Sequence, residues 1–389
     1  MSRRDRLNES SAKQRTPSAT SSRCPIPPSL RYPSTSNLGR GGQTVLYHQP
    51  TSFLQSFSCT ATRVLEFTDT ALRYYVGAPS GVDLQYGYER WIERPAGITR
   101  LDPILRTIER VVQQKETASG PGQGEAWLTG ITVVTWRGIM TKILIAPYQE
   151  LDTVELNAMF VGGVLYIEEH VSDSKLGEME RISAKQRKLM YHGFSFQAWS
   201  TSSRPDVCER LEGHPVGWGG DVNTNVQWAA VAQTSLGNHD LVIGGVIECV
   251  RDHFDGRPDT LVELKATMLM KRKDDEVRFN KKLLKFYIQS FLMGVPEIIV
   301  GFRTPAGQLA STRTYKTAEI PQLVRKKPGS WNRDVCLQWG QQFLSTLRNL
   351  LSRQAASAPQ AAGPRASSHS MARNPHAQGG RYYVSFSTR

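Results

Sequence analysis

Between residues 261 and 302 the sequence changes its hydrophobic period twice, and this stretch limits the fold more than any other. Residues 261–266, Leu-Val-Glu-Leu-Lys-Ala, alternate as a strand does. Residues 275–293 carry an amphipathic helical stripe that stops at Gly294-Val295-Pro296, a Gly/Pro terminator, and residues 297–302 return to strand. A strand–helix–strand crossover of this kind predicts two parallel strands in one sheet with the helix lying on a face.

The rest of the chain fits around that unit. Leu101, Ile104, Leu105, Ile108, Val111 and Val112 predict a helix over residues 99–114 with Thr99 as its cap, and further helices are expected at 175–190, ending before Gly193, and at 334–353. Strands are expected at 131–136, 142–146 and 241–250, with a hairpin of 153–160 and 164–168 around Gly162-Gly163. Mixed strands and helices of this length give one α/β (α+β) domain on a mixed, mostly buried sheet.

Charge separates the domain from its ends. The chain carries a net +13, but residues 1–40 and 354–389 together hold +10 of it, leaving +3 for residues 41–353. A high pI confined to the ends says little about the surface of a folded core. Residues 1–45 form a basic Ser/Pro-rich tail and residues 354–389 a second polar tail, both expected to be disordered, with the folded domain at 46–353. The Tyr382–Phe386 patch is too small to fold alone. No run of about 18 apolar residues exists, which argues against a membrane span. The first twenty residues lack the apolar stretch of a secretory signal. Five scattered cysteines without C-x-x-C give neither a disulfide framework nor a zinc site, so a reducing compartment is expected: the nucleus, with the cytoplasm as alternative.

Chemistry concentrates in Glu263-Leu-Lys265. Residues two apart on a strand share a face, so the carboxylate and the ammonium project together. With a further acid, Glu248, on the preceding strand, this is the pattern of metal-dependent phosphodiesterases: the carboxylates hold Mg²⁺ while the ammonium stabilises phosphate charge or orients water. Alone, E-x-K is commonplace on solvated strand faces.

Other segments match in order. Leu72-Arg-Tyr-Tyr75, Thr135-Trp-Arg-Gly-Ile-Met-Thr-Lys142, Tyr191-His-Gly-Phe-Ser-Phe-Gln197, Asn223-Thr-Asn225, Gly245-Val-Ile-Glu-Cys249, Val262-Glu-Leu-Lys265, the block from Lys282 to Pro296 and Val300-Gly-Phe-Arg303 together resemble the DXO-type decapping nuclease family over roughly residues 60–325. The family includes the fungal nuclear partner of a 5′–3′ exoribonuclease. The resemblance implies two mixed sheets with flanking helices and a restriction-endonuclease-like nuclease core. It implies metal-dependent hydrolysis at RNA 5′ ends: release of pyrophosphate from a triphosphate, removal of an incomplete or NAD-type cap, and 5′–3′ trimming. The expected partners are an RNA 5′ end and a 5′–3′ exoribonuclease, and the expected cofactor is Mg²⁺ or Mn²⁺. Carried over residue by residue, Arg137 contacts a phosphate; Glu248, Glu263 and the Leu264 carbonyl are metal ligands; Gln197, Lys265 and Gln289 hold substrate and the attacking water. Glu263, Lys265 and Gln289 are the catalytic candidates.

Two positions depart from the family pattern. Gln197 stands where the second motif has Glu. The Glu-x-Asp motif reads Val246-Ile-Glu248, or Glu248-Cys-Val250 if shifted by two, and either register loses an acid. Mg²⁺ is held largely through carboxylate charge, so weakened or lost metal binding is expected. A catalytically silent RNA-binding or scaffold member is the alternative. Asp221, Asp240 and Asp252 are candidates to fill the gap. Smaller signals take ordinary roles: Ser195 as a strand residue, His192 and His253 away from metal spacing, Trp136, Trp199 and Trp228 in packing, and the basic runs 271–273 and 325–327 as solvated loops.

Overall fold

The computed structural model describes residues 22–23, 44–95, 100–149, 153–357 and 381–387. Two mixed sheets carry the architecture, as expected of the class. The larger has ten strands, with Val133–Trp136, His239–Val246, Gln227–Leu236 and Gln55–Cys59 side by side near its middle. The smaller has six, in the order Leu309–Lys316, Glu297–Arg303, Leu261–Met268, Cys249–Val250, Tyr74–Tyr75, Thr201–Ser202.

The crossover anticipated from the sequence forms the heart of the small sheet. Leu261–Met268 pairs in parallel with Glu297–Arg303, and the Lys273–Leu292 helix joins them. That helix buries Phe279, Leu283, Leu284, Phe286, Tyr287 and Ile288. Each such side chain contributes roughly 1.5–3 kcal/mol on burial, so its apolar stripe, rather than helix propensity, holds it in place.

Several boundaries differ from expectation for physical reasons. Residues 142–146 are not a strand: Arg137–Ile145 is a helix, followed by a 3-10 turn at Ala146–Tyr148. Nearly all its residues are buried, so it shows no polar face and its β-branched side chains imitate a strand. The helix of residues 175–190 is two helices, Asp173–Glu180 and Ala184–Ser200, the second opened by a Ser183–Gln186 capping box and running through Gly193. Ser195 is therefore a buried helical residue, not a strand residue. The 241–250 strand breaks: His239–Val246 belongs to the large sheet and Cys249–Val250 to the small one. The first helix is Asp102–Ser119 with Leu101 at its cap position; Thr99 lies outside the described residues.

The hairpin expected around Gly162-Gly163 forms between Thr153–Val161 and Val164–Glu169, both glycines taking the positive φ its turn requires (58° and 86°). Of the two expected tails, most lies outside the described residues. The last helix, Arg333–Ser357, extends past residue 353, and Arg381–Ser387 adds a strand antiparallel to Thr153–Val161, with Ser22–Arg23 paired beyond it. The terminal patch folds because a ready sheet edge receives it.

Candidate active site

The break between His239–Val246 and Cys249–Val250 builds the site. There the chain leaves one sheet for the other, and Glu248 sits in the crossing. Val133–Trp136 runs parallel to His239–Val246 with Trp136 opposite Gly244, so the helix that follows begins with Arg137 beside Val246. Cys249 pairs with Val262, which sets Glu263 next to the crossing. Three segments far apart in sequence thus meet at the seam of the two sheets.

The side chains form an alternating row of charge. Lys265 Nζ lies 3.9 Å from Glu248 Oε1 and 2.5 Å from Glu263 Oε1. Arg137 Nη1 donates to Glu263 Oε2 at 2.9 Å, and its Nη2 donates to the Val246 carbonyl at 2.6 Å. Glu263 is 1% exposed and Arg137 7%. Burial works to raise the Glu263 carboxyl, but Arg137 and Lys265 outweigh it and hold the group below its ordinary value. Glu248 goes the other way: burial, reinforced by the neighbouring Glu263 charge and only partly offset by Lys265, pushes it up to about 7. A hydrogen bond links Glu248 to Gln197, which reaches in from the Ala184–Ser200 helix.

Of the residues singled out in the sequence, the structure brings together Arg137, Gln197, Glu248, Glu263 and Lys265. Leu264 turns its side chain to the opposite face, into a core with Phe196 and Ile299. Gln289 is half-buried on the helix stripe that carries Phe286, whose ring lies 6.0 Å from Lys265 Nζ, and Met293, which packs against Gly245. The phosphate contact expected of Arg137 meets a guanidinium with two of its nitrogens already engaged inside the protein. None of the three acids held in reserve joins Glu263: Asp221 pairs with Arg90, Asp252 with His253, and Asp240 lines a different hollow.

A cavity of about 360 Å³ opens beside Glu248, lined by Arg73, Gln197, Asn223, Gln227, Trp228 and Val246 among others. Sequence reasoning names Asp221 as a reserve acid and Asn223-Thr-Asn225 as a family segment, but not the Gly219–Thr224 stretch as a cavity wall. Arg73 ties it down, donating to the carbonyls of Gly219 at 2.7 Å and Thr201 at 3.2 Å. A Cβ on Gly219 would lie 2.3 Å from the Thr201 carbonyl oxygen, so only glycine lets the wall approach this closely. The Trp218-Gly-Gly220 run was the available signal. Trp228 lines the cavity but is 2% exposed, and its indole donates to Asp69.

A divalent ion would need oxygen donors here. Among the described residues no group of three or more His, Cys, Asp or Glu is placed to hold a metal ion. Glu263 has both oxygens on protein cations, Val246 presents an aliphatic side chain, and Gln197 presents a neutral amide. The residues present do not fit a pair of divalent ions.

A mixed sheet bearing a carboxylate, a lysine two residues on and a second acid on the adjoining segment defines a nuclease core of the PD-(D/E)XK class. The model of the RAI1-like PD-(D/E)XK nucleases matches residues 48–370, and the chain belongs to that family. The decapping nuclease RAI1 of Cryptococcus neoformans is 34% identical over 291 residues, covering 73% of this chain and 72% of that protein. The decapping and exoribonuclease protein of Bos taurus is 34% identical over 320 residues, covering 79% and 76%. The crystal structure of Candida albicans Rai1 in complex with pU5 and Mn²⁺ superposes with a TM-score of 0.66 at 25% identity, covering 79% of this chain and 84% of that one. The family is one of hydrolases, and Mn²⁺ accompanies the Candida albicans structure.

Proposed function

We propose that the chain is a decapping nuclease acting on RNA 5′ ends, hydrolysing a 5′ triphosphate or an incomplete or NAD-type cap, at a rate lowered by the absence of two metal carboxylates. The observation that carries the reading is the convergence of Glu248, Glu263 and Lys265 beside a cavity lined by amide and hydroxyl groups. The names of the relatives, and the 5′-phosphorylated oligonucleotide bound by the Candida albicans protein, point the same way.

In this reading the leading nucleotide occupies the cavity, where Gln197, Asn223 and Gln227 offer donors and acceptors to a base or ribose. Lys265, the more exposed of the two cations, faces the 5′ phosphate. Gln289, half-buried on the Lys273–Leu292 helix, holds water near it. The buried Arg137 keeps Glu263 ionised and fixed. Purified protein incubated with triphosphate-ended and NAD-ended RNA, with Mg²⁺, with Mn²⁺ and with neither, tests this. Slow 5′-end release that Glu263→Gln abolishes supports the enzyme; no release with any metal would refute it.

One observation favours a second reading, a silent binder of 5′ ends: both Glu263 oxygens are engaged by protein cations. RNA binding without turnover would select it. Association with a 5′–3′ exoribonuclease and nuclear residence belong to the same proposal. They are tested by co-purification that ignores pocket substitutions, and by imaging after replacement of the exposed basic runs 271–273 and 325–327.

A further inference from the structure

Manganese accompanies the Candida albicans structure, yet the seam of this chain is built differently from a metal cradle. A carboxylate ligand needs a free lone pair directed at the ion. Glu263 has one oxygen on Arg137 Nη1 and the other on Lys265 Nζ. The Val246 carbonyl, a backbone acceptor at the seam, is taken by Arg137 Nη2 at 2.6 Å. Arg137 is not a loose surface cation that an ion could displace. It opens a helix whose other residues are almost all buried, it is itself 7% exposed, and the packing around it fixes its position.

The charge balance agrees. Two carboxylates, Glu248 and Glu263, face two basic side chains, Arg137 and Lys265. Two divalent ions about 4 Å apart would add four positive charges beside two cations already in place, and the other acid lining the cavity, Asp221, is paired with Arg90. Gln197 adds an oxygen but no charge.

We propose that in this chain Arg137 and Lys265 take over the charge-neutralising task of a metal pair, so that the pocket binds a 5′-phosphorylated RNA end without divalent metal. The choice of ligand rests on the functional reading above; the metal statement does not. The RNA phosphate meets Lys265, whose side chain is 19% exposed and whose ammonium lies 3.9 Å from Glu248 on the cavity wall, while Arg137 stays inside as a fixed counter-ion to Glu263.

Two measurements on the full chain test it separately. Titration of Mn²⁺, followed by the electron paramagnetic resonance of the free ion, should show no saturable binding in the micromolar range for the native protein. Gln197→Glu combined with Val246→Glu should create a saturable site, tightening Mn²⁺ binding by at least about tenfold. Arg137→Gln, which frees one Glu263 oxygen and the Val246 carbonyl, should gain Mn²⁺ affinity by the other route and serves if the double variant misfolds. Fluorescence anisotropy of a 5′-phosphorylated pentaribonucleotide should give the same affinity in EDTA as in Mn²⁺, and a 5′-hydroxyl pentamer should bind more weakly in both. Native protein that binds two Mn²⁺ ions at micromolar concentration overturns the proposal, as does an RNA affinity that falls about tenfold in EDTA. If neither pentamer binds under any condition, the functional reading fails, and the Mn²⁺ titration still decides the metal question.

Discussion

Glu263 is the residue on which the seam depends. It is a buried carboxylate whose two cationic partners come from its own strand and from a helix 126 residues away. Removing one member of such a pair leaves a charge without compensation, which costs about 3–5 kcal/mol. Glu263→Ala should lower the unfolding free energy by that order in urea denaturation, well beyond the change for a surface glutamate. The short-range half of this arrangement was legible: period-2 alternation puts Glu263 and Lys265 on one face. The Arg137 half was not, because no local pattern encodes a contact made by folding two sheets together. His192 makes a second point at this scale. It is 4% exposed, neither ring nitrogen has a hydrogen-bond partner, and burial, with Arg303 and Lys188 nearby and only Asp83 opposing them, pushes it down to about 4 from 6.5. The unfolded chain therefore binds more protons between those values, and stability is lost as pH falls from 6.5 toward 4. Thermal unfolding across this range should show a loss on the order of 1–3 kcal/mol that His192→Phe removes.

Helices show how local rules succeed and fail. Lys273–Leu292 was legible because one face is apolar and Gly294-Val-Pro296 ends it. Arg137–Ile145 was not, because burial on every side erases the periodicity that identifies a helix. The Ala184–Ser200 helix had a readable start in Ser183-Ala-Lys-Gln186, the S-x-x-Q of a capping box, but the helical pattern of residues 175–190 runs across it. The cap matters for function because this helix carries Gln197 to Glu248. Ser183→Ala should cost about 1 kcal/mol of stability. The loss should appear in hydrogen exchange as faster opening of the first turn, residues 184–188, with the Gln197 end protected by Phe196 and Trp199, both buried. Uniform opening of the whole helix would show instead that the cap organises the site.

At the scale of the molecule, the two sheets set the site and the ends set the field. The folded part is close to neutral, whereas residues 1–40 carry +6, with eight Lys or Arg against two acids. In the proposed reading specific recognition falls to the seam, where the partners are buried and poorly screened by salt; attraction by the N-terminal segment is long-range and screened. The two contributions should therefore separate experimentally. For single-stranded RNA the logarithm of the binding constant falls with the logarithm of salt concentration by about 0.7 per phosphate neutralised, so removing a segment of +6 should reduce the slope by at most about 4. A chain lacking residues 1–40 should bind a 20-nucleotide RNA more weakly at low salt and nearly as well as the full chain at high salt. Its preference for a 5′-phosphate over a 5′-hydroxyl end should not change if, as proposed, Lys265 meets that phosphate. If the truncation erases the end preference while leaving the salt slope intact, the basic segment takes part in reading the 5′ end, and the division of labour between seam and tail is wrong.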